Sequence, residues 1–281
     1  MSRRHRVGMV RSVALCVAIA SPLANAHDFW MEVSRYHVEP GAAVDVSLRV
    51  GHGAEVTRYP RKPSHIDWFA VEREGARAPV QGAVGAEPAG RAQFAQPGLY
   101  AVGYRSTPTF IELDANTFES YLEHEGLEPI IEERRRLGQS AEPGRELYSR
   151  CAKSFVRVGD GPVQAADYTR PLRMPLEFTP TSEPSAIHDG QQFGVRLNYN
   201  GQPLPGARVD AMHWASQTAE PVTLIGETDA NGEVSFEFTN TGTWVIASTY
   251  MFEASADDDA DWESLWATLT VDVAANASAK P

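Results

Sequence analysis

His27 offers more chemistry than any other single residue in the chain. It follows Ala24-Asn25-Ala26, an A-x-A stretch of the kind at which an export peptidase cuts. Cleavage there frees an α-amino group on a histidine, and that nitrogen can chelate a metal ion together with the ring Nδ1 of the same residue. An amine of pKa about 8 loses its proton readily under a divalent cation near neutrality. Imidazole suits nickel, copper and zinc, and the Irving–Williams order favours copper wherever nitrogen dominates. The other common N-terminal site, a square-planar one, needs histidine at the third mature position, which is Phe29 here. Asp28 sets a carboxylate directly beside the candidate site. Many exported chains begin with an arbitrary residue, so His27 needs partners before it counts as a ligand.

The sequence holds eight histidines from which such partners could come. His52 lies between Gly51 and Gly53, just past an alternating run, where backbone can approach a ligand closely. His65 precedes an apolar run and can point inward. The candidate metal set is therefore His27, His52, His65 and Asp28. His37, His124 and His188 read as turn or surface residues, and His213 shares parity with Val209 and Ala211, as a hydrogen-bonded core histidine would. Met31 carries a soft thioether, although the core is the commoner place for methionine. The run Asp257-Asp258-Asp259 lacks the glycine and the bidentate glutamate of a calcium loop, so it reads as a solvated loop. No G-x-S-x-G elbow, H-E-x-x-H, P-loop or G-x-G-x-x-G before a helix occurs, and the chain reads as a binder rather than an enzyme.

The compartment follows from the first residues. Arg3, Arg4, Arg6 and Arg11 precede the short apolar run Val13 to Ala20, with no acidic residue among them. A basic segment, a short apolar core and an A-x-A site make residues 1–26 a secretory signal peptide, too short in its apolar part to span a membrane. The expected location is the periplasm. Removing the four arginines of the leader takes the net charge from −12 to −16. Such a chain repels nucleic acid and anionic membrane surfaces, and attracts cations. Cys16 falls in the leader, and Leu15 before it is too large for a lipoprotein cleavage box. That leaves Cys151 alone, unable to form an internal disulfide and expected to be buried. No further apolar stretch reaches spanning length.

The elements that must position these residues are mostly strands. Val44, Val46, Leu48 and Val50 alternate with polar residues, as do Phe193, Val195, Leu197 and Tyr199. Residues 66–71 and 99–104 add strands, and Asn200-Gly201 is a hairpin signal answered by Ala207, Val209 and Ala211. Val234, Phe236, Phe238, then residues 244–246 and 265–273 complete a second set. Residues 144–159 return to extended chain with poor alternation. A helical interlude spans about 114–138: Asp114 caps one helix, Gly126 punctuates, Pro129 opens a second and Gly138 stops it. Pro171, Pro175, Pro180 and Pro184 mark a linker. The expected fold is mainly β, with immunoglobulin-like sandwich domains: 27–170 carrying the helical insertion, 171–273 as a second sandwich, and 274–281 as a flexible tail.

Several passages resemble one family. They are Ala26-His27-Asp28-Phe29-Trp30, Val50-Gly51-His52-Gly53, Phe118-Glu119-Ser120-Tyr121-Leu122 with Glu125-Gly126-Leu127-Glu128, residues 144–153, and Asp261-Trp262-Glu263-Ser264-Leu265-Trp266. Together they resemble the domain-of-unknown-function family DUF4198, described as related to nickel-uptake transporters. Where the family carries a His-Met pair near its last strands, this chain has Tyr250-Met251. The resemblance implies an exported protein that binds nickel or cobalt and serves a membrane metal transporter as its partner. Two other readings compete. An N-terminal histidine on a β-sandwich also suits copper, as a binding protein or an oxidative copper enzyme. A sandwich interaction module without metal is the third.

Overall fold

The computed structural model describes residues 28–216, 219–256 and 259–276, apart from the side chain of His52. The expected leader, His27, Asp257, Asp258 and the chain from residue 277 lie outside the described residues. Within them the chain is mainly strand with a short helical insertion, as expected.

Alternating runs become strands because one face of each is buried. Val44, Val46 and Leu48 of strand Ala43–His52 are closed to solvent, as are Phe193, Val195 and Leu197 of strand Gln192–Tyr199. Asn200 and Gly201 take φ values of 49° and 77°, the two positive angles of a two-residue hairpin, and the chain returns as Gln202–Pro203.

Among the described residues the strands form three sheets. The largest runs from Val222–Glu227 through Arg208–His213, Gly242–Glu253, Trp262–Val273, Gly144–Val158, Gly98–Ser106 and Ile66–Arg73 to Ala76–Pro79. One small sheet gathers Asp28–Val33, Glu55–Tyr59 and Gly90–Gln93 around Ala43–His52. The other gathers Leu176–Pro180, Gln202–Pro203 and Glu233–Glu237 around Gln192–Tyr199.

The small sheets cover opposite faces of the large one, giving three layers. Strand Gly144–Val158 shows this best: Cys151 and Phe155 enter the core under the Gln192–Tyr199 sheet, while Ala152, Val156 and Val158 enter the core under the Ala43–His52 sheet. Burial on both faces is why its sequence lacks alternation. The strand pairs in parallel with Trp262–Val273, Cys151 opposite Ala267, and antiparallel with Gly98–Ser106. Hydrogen bonding in the large sheet thus runs straight across the position expected to divide two domains. Cys151 is buried and unpaired, and burial pushes its thiol up to about 12. Ala274, where the tail was expected to begin, donates to Ile187 O at 2.9 Å and accepts from Asp189 N–H at 3.0 Å.

The helical insertion comprises α1 (Ala115–His124) and α2 (Glu128–Arg136). Asp114 Oδ1 caps α1, accepting from the Asn116 and Thr117 N–H groups at 3.2 and 3.1 Å. Phe118, Tyr121 and Leu122 share one face and pack on Met251, Trp262 and Trp266 of the large sheet. Gly126, with φ 69°, ends the helix, and Leu127 N–H closes the turn on Leu122 O at 2.8 Å.

Candidate functional site

Strand Asp28–Val33 runs antiparallel to Ala43–His52, with Asp28 opposite Gly51 and Phe29 opposite Val50. Its two faces meet different surroundings. Phe29, Met31 and Val33 enter the core shared with Val44, Val46 and Tyr104. Trp30 turns the other way, onto Met212, Val245 and Ala247, and stacks on Trp214 with 4.9 Å between ring centres. Gly51 must stay small here, because a Cβ would stand 2.8 Å from Glu55 O and 3.1 Å from the Trp30 ring. Asp28 shares Trp30's face. The start of the strand therefore separates two polar settings.

The first is an acidic cavity of about 340 Å³. Asp28 enters it from the first strand, Glu125 from the turn after α1, and Arg208 and Asp210 from alternate positions of strand Arg208–His213. Thr249 enters from strand Gly242–Glu253, and Glu220 from the loop before the edge strand. The guanidinium of Arg208 is committed to Asp210, with Nε to Oδ1 at 2.9 Å and Nη2 to Oδ2 at 3.0 Å. Glu125 Oε2 accepts from Thr249 Oγ1 at 2.7 Å. Burial and neighbouring charge favour the protonated forms of Asp28 and Glu125. Burial first, then the charge of Asp210, lifts Asp28 to about 7 against the pull of Arg150. Burial and the charge of Asp28 raise Glu125 well above the usual carboxylate range. The cavity is short of positive charge.

The second setting lies on Phe29's face. Tyr59 meets the Phe29 ring edge-on at 5.5 Å, and its hydroxyl lies 2.6 Å from His65 Nδ1. His65 ends a short 3-10 turn, Pro63–His65, and its carbonyl accepts from the Tyr104 hydroxyl at 3.0 Å. Burial, then the charges of Lys62 and Arg150, lower the His65 pKa and favour the neutral ring. With Nδ1 engaged, Nε2 is the nitrogen open to a metal, the arrangement by which metal-binding histidines are usually oriented. The Arg150 guanidinium stands over Phe29 at 5.0 Å and over Tyr148 at 5.1 Å.

The expected site residues thus fall on two sides of one strand. Asp28 lines the acidic cavity, His65 does not, and the strand's alternation keeps them apart. His52 is the last residue of its strand, and His27 lies outside the described residues. Among the described residues no three His, Cys, Asp or Glu side chains stand ready as a metal site. Glu125, Arg208 and Asp210 escape the sequence reading. They lie far from Asp28 in the chain, and their only local signal is the shared parity of Arg208 and Asp210. His213 is held as expected, its Nδ1 3.0 Å from Thr243 O and its ring stacked on Trp244 at 5.2 Å.

A family model described as a domain of unknown function, DUF4198, matches residues 24–251. No curated protein matches. Among solved structures, a DUF4785 family protein of Legionella pneumophila aligns at a TM-score of 0.23 and 9% identity, over 77% of this chain and 50% of that one. The adhesin InvE of Yersinia pseudotuberculosis aligns at a TM-score of 0.20 and 10% identity, over 86% of this chain and 58% of that one. The chain thus spans about half the length of each, and at these scores neither likeness bears on function.

Proposed function

The chain belongs to the DUF4198 family, and on that premise we propose that it binds a divalent transition metal, nickel or cobalt, at the start of its first strand, as a periplasmic accessory of a metal-uptake transporter. The observation that carries this reading is His65, held by Tyr59 beside the start of that strand. Asp28 pairs with Gly51 and Phe29 with Val50. On Phe29's face Tyr59 meets the Phe29 ring and holds His65 by a hydrogen bond. In the proposed site the amine and ring of His27, the ring of His52 and Nε2 of His65 supply the nitrogens. Burial, then the charges of Lys62 and Arg150, favour the neutral ring of His65, the form a metal accepts. Asp28 lies across the strand in the acidic cavity and is not a ligand in this reading.

The same nitrogen-rich set favours a second reading, copper, by the Irving–Williams order. In either case the chain is read as a binder and not as an enzyme. Equilibrium dialysis tests the proposal, using exported protein with an exposed His27 and equal concentrations of nickel, cobalt and copper. One ion per chain should be retained, and His52→Ala and His65→Ala should each lower the affinity at least tenfold. Retention of copper alone selects the second reading. No retention, or retention indifferent to both substitutions, rejects the site and favours a docking module without metal.

A further inference from the structure

We propose that the cleft beside the 171–175 connection is an anion site that takes a small organic polycarboxylate. The cleft holds about 530 Å³ and shares no lining residue with the Asp28 cavity. Its volume lies within the range of small-molecule sites. Arg105, Arg173 and Arg196 line it, in a chain whose net charge is −12. They come from three separate elements: strand Gly98–Ser106, the connection itself and strand Gln192–Tyr199. The floor is a polar ribbon in which Glu177 pairs with Asn198 and Thr179 with Arg196 across two antiparallel strands.

The one carboxylate in the cleft is already committed. Glu177 accepts from the Leu172 and Met174 N–H groups at 2.7 and 3.2 Å and forms an ion pair with Lys153, both side chains being almost wholly buried. It therefore does not neutralise the arginines. Arg105 shares Asp67 at 3.4 Å, and Arg196 shares Glu233, but all four of these side chains are more than a third exposed. Exposed pairs of this kind are weak and readily exchanged for a ligand. The Arg105 Nε that faces Asp67 is enclosed but makes no hydrogen bond among the described residues. Arg173 makes no ion pair among the described residues and sits at φ 64°, in the left-handed region that disfavours a long side chain. A guanidinium placed there at a conformational cost, beside two others, is the arrangement that recognises carboxylate or phosphate oxygens in paired hydrogen bonds. A volume of about 530 Å³ has room for a di- or tricarboxylate, whose several carboxylates can each meet a guanidinium.

The test is isothermal titration of citrate, succinate and inorganic phosphate into metal-free full-length mature protein. Metal must be removed first, because citrate chelates it. Two variants accompany it: Arg173→Gly, which suits the positive φ and so keeps the fold, and Arg196→Gln. Citrate should bind most tightly, weaken at least tenfold in each variant, and weaken further with added salt. The proposal is overturned if citrate does not bind, if both variants bind it as the parent does, or if phosphate binds as tightly as citrate. Any of these outcomes leaves the metal reading untouched.

Discussion

A Cβ added to Gly126 would stand 2.6 Å from Cδ of Arg208. The turn that delivers Glu125 to the acidic cavity is thus pressed onto the arginine that holds Asp210. Gly126 also needs its φ of 69°, which costs another residue about 1 to 2 kcal/mol. Gly126→Ala should therefore destabilise the protein by about 2 kcal/mol and lower Tm by roughly 4 to 8 °C. Thermal unfolding of the metal-free protein checks this. An unchanged Tm would mean that the turn is free to move away from Arg208.

Acidity should stabilise the metal-free protein. Burial and Asp210 hold Asp28 up to about 7, and burial holds Glu146 up to about 7 against the hydroxyls of Ser264 and Tyr121. In an unfolded chain such carboxyls ionise near pH 4. Between about pH 4 and 7 the folded state therefore binds more protons than the unfolded one. Stability is greatest below that window and falls as pH rises through it. Urea unfolding should show a loss on the order of 5 kcal/mol between pH 5 and 8, and Asp28→Asn should flatten part of that slope. A rise in stability over the same range would contradict the account of the cavity.

Lys153 and Glu177 make a further prediction that does not depend on function. Lys153 Nζ is fully enclosed and donates to Phe178 O at 2.9 Å as well as to Glu177. Lys153→Met strands the Glu177 carboxylate, so it should cost about 3 to 5 kcal/mol. Pairing it with Glu177→Leu removes the stranded charge, and the double variant should recover part of the loss. Chemical unfolding of both variants measures the difference.

The local structure was legible because it is written in short-range terms. Asp114 announces its helix, Asn200-Gly201 its hairpin, and Val44, Val46 and Leu48 their buried face. Strand Gly144–Val158 carried no such signal, since both its faces are buried and its partners Trp262–Val273 and Gly98–Ser106 lie far away in sequence. The site divides in the same way. Asp28 and His65 were readable as ligand types beside a candidate N-terminus. That they stand on opposite faces of one strand, with Glu125 and Asp210 gathered around the first, depends on which strands pair with which. No single stretch of sequence carries that information.

Tyr59 should matter to metal affinity without touching the metal. Its hydroxyl, 2.6 Å from His65 Nδ1, fixes the ring that presents Nε2. Tyr59→Phe keeps the ring packed against Phe29 and removes only that hydrogen bond. Loss of such an orienting partner typically weakens a metal site about 10- to 100-fold. Nickel titration of the folded variant should show a weakening in this range, with little change in Tm. Unchanged affinity would remove His65 from the ligand set.

The central claim, that a leading His27 forms the site, meets its most direct test in one isothermal titration. Nickel(II), cobalt(II) and copper(II) are titrated into exported protein whose mass verifies that it begins at His27. A second preparation carries one extra residue ahead of His27. The account predicts binding of one ion at micromolar affinity or tighter, with proton release, and its collapse in the extended protein, whose α-amine is displaced from the histidine. Equal binding by the two preparations, or no binding by either, would contradict it.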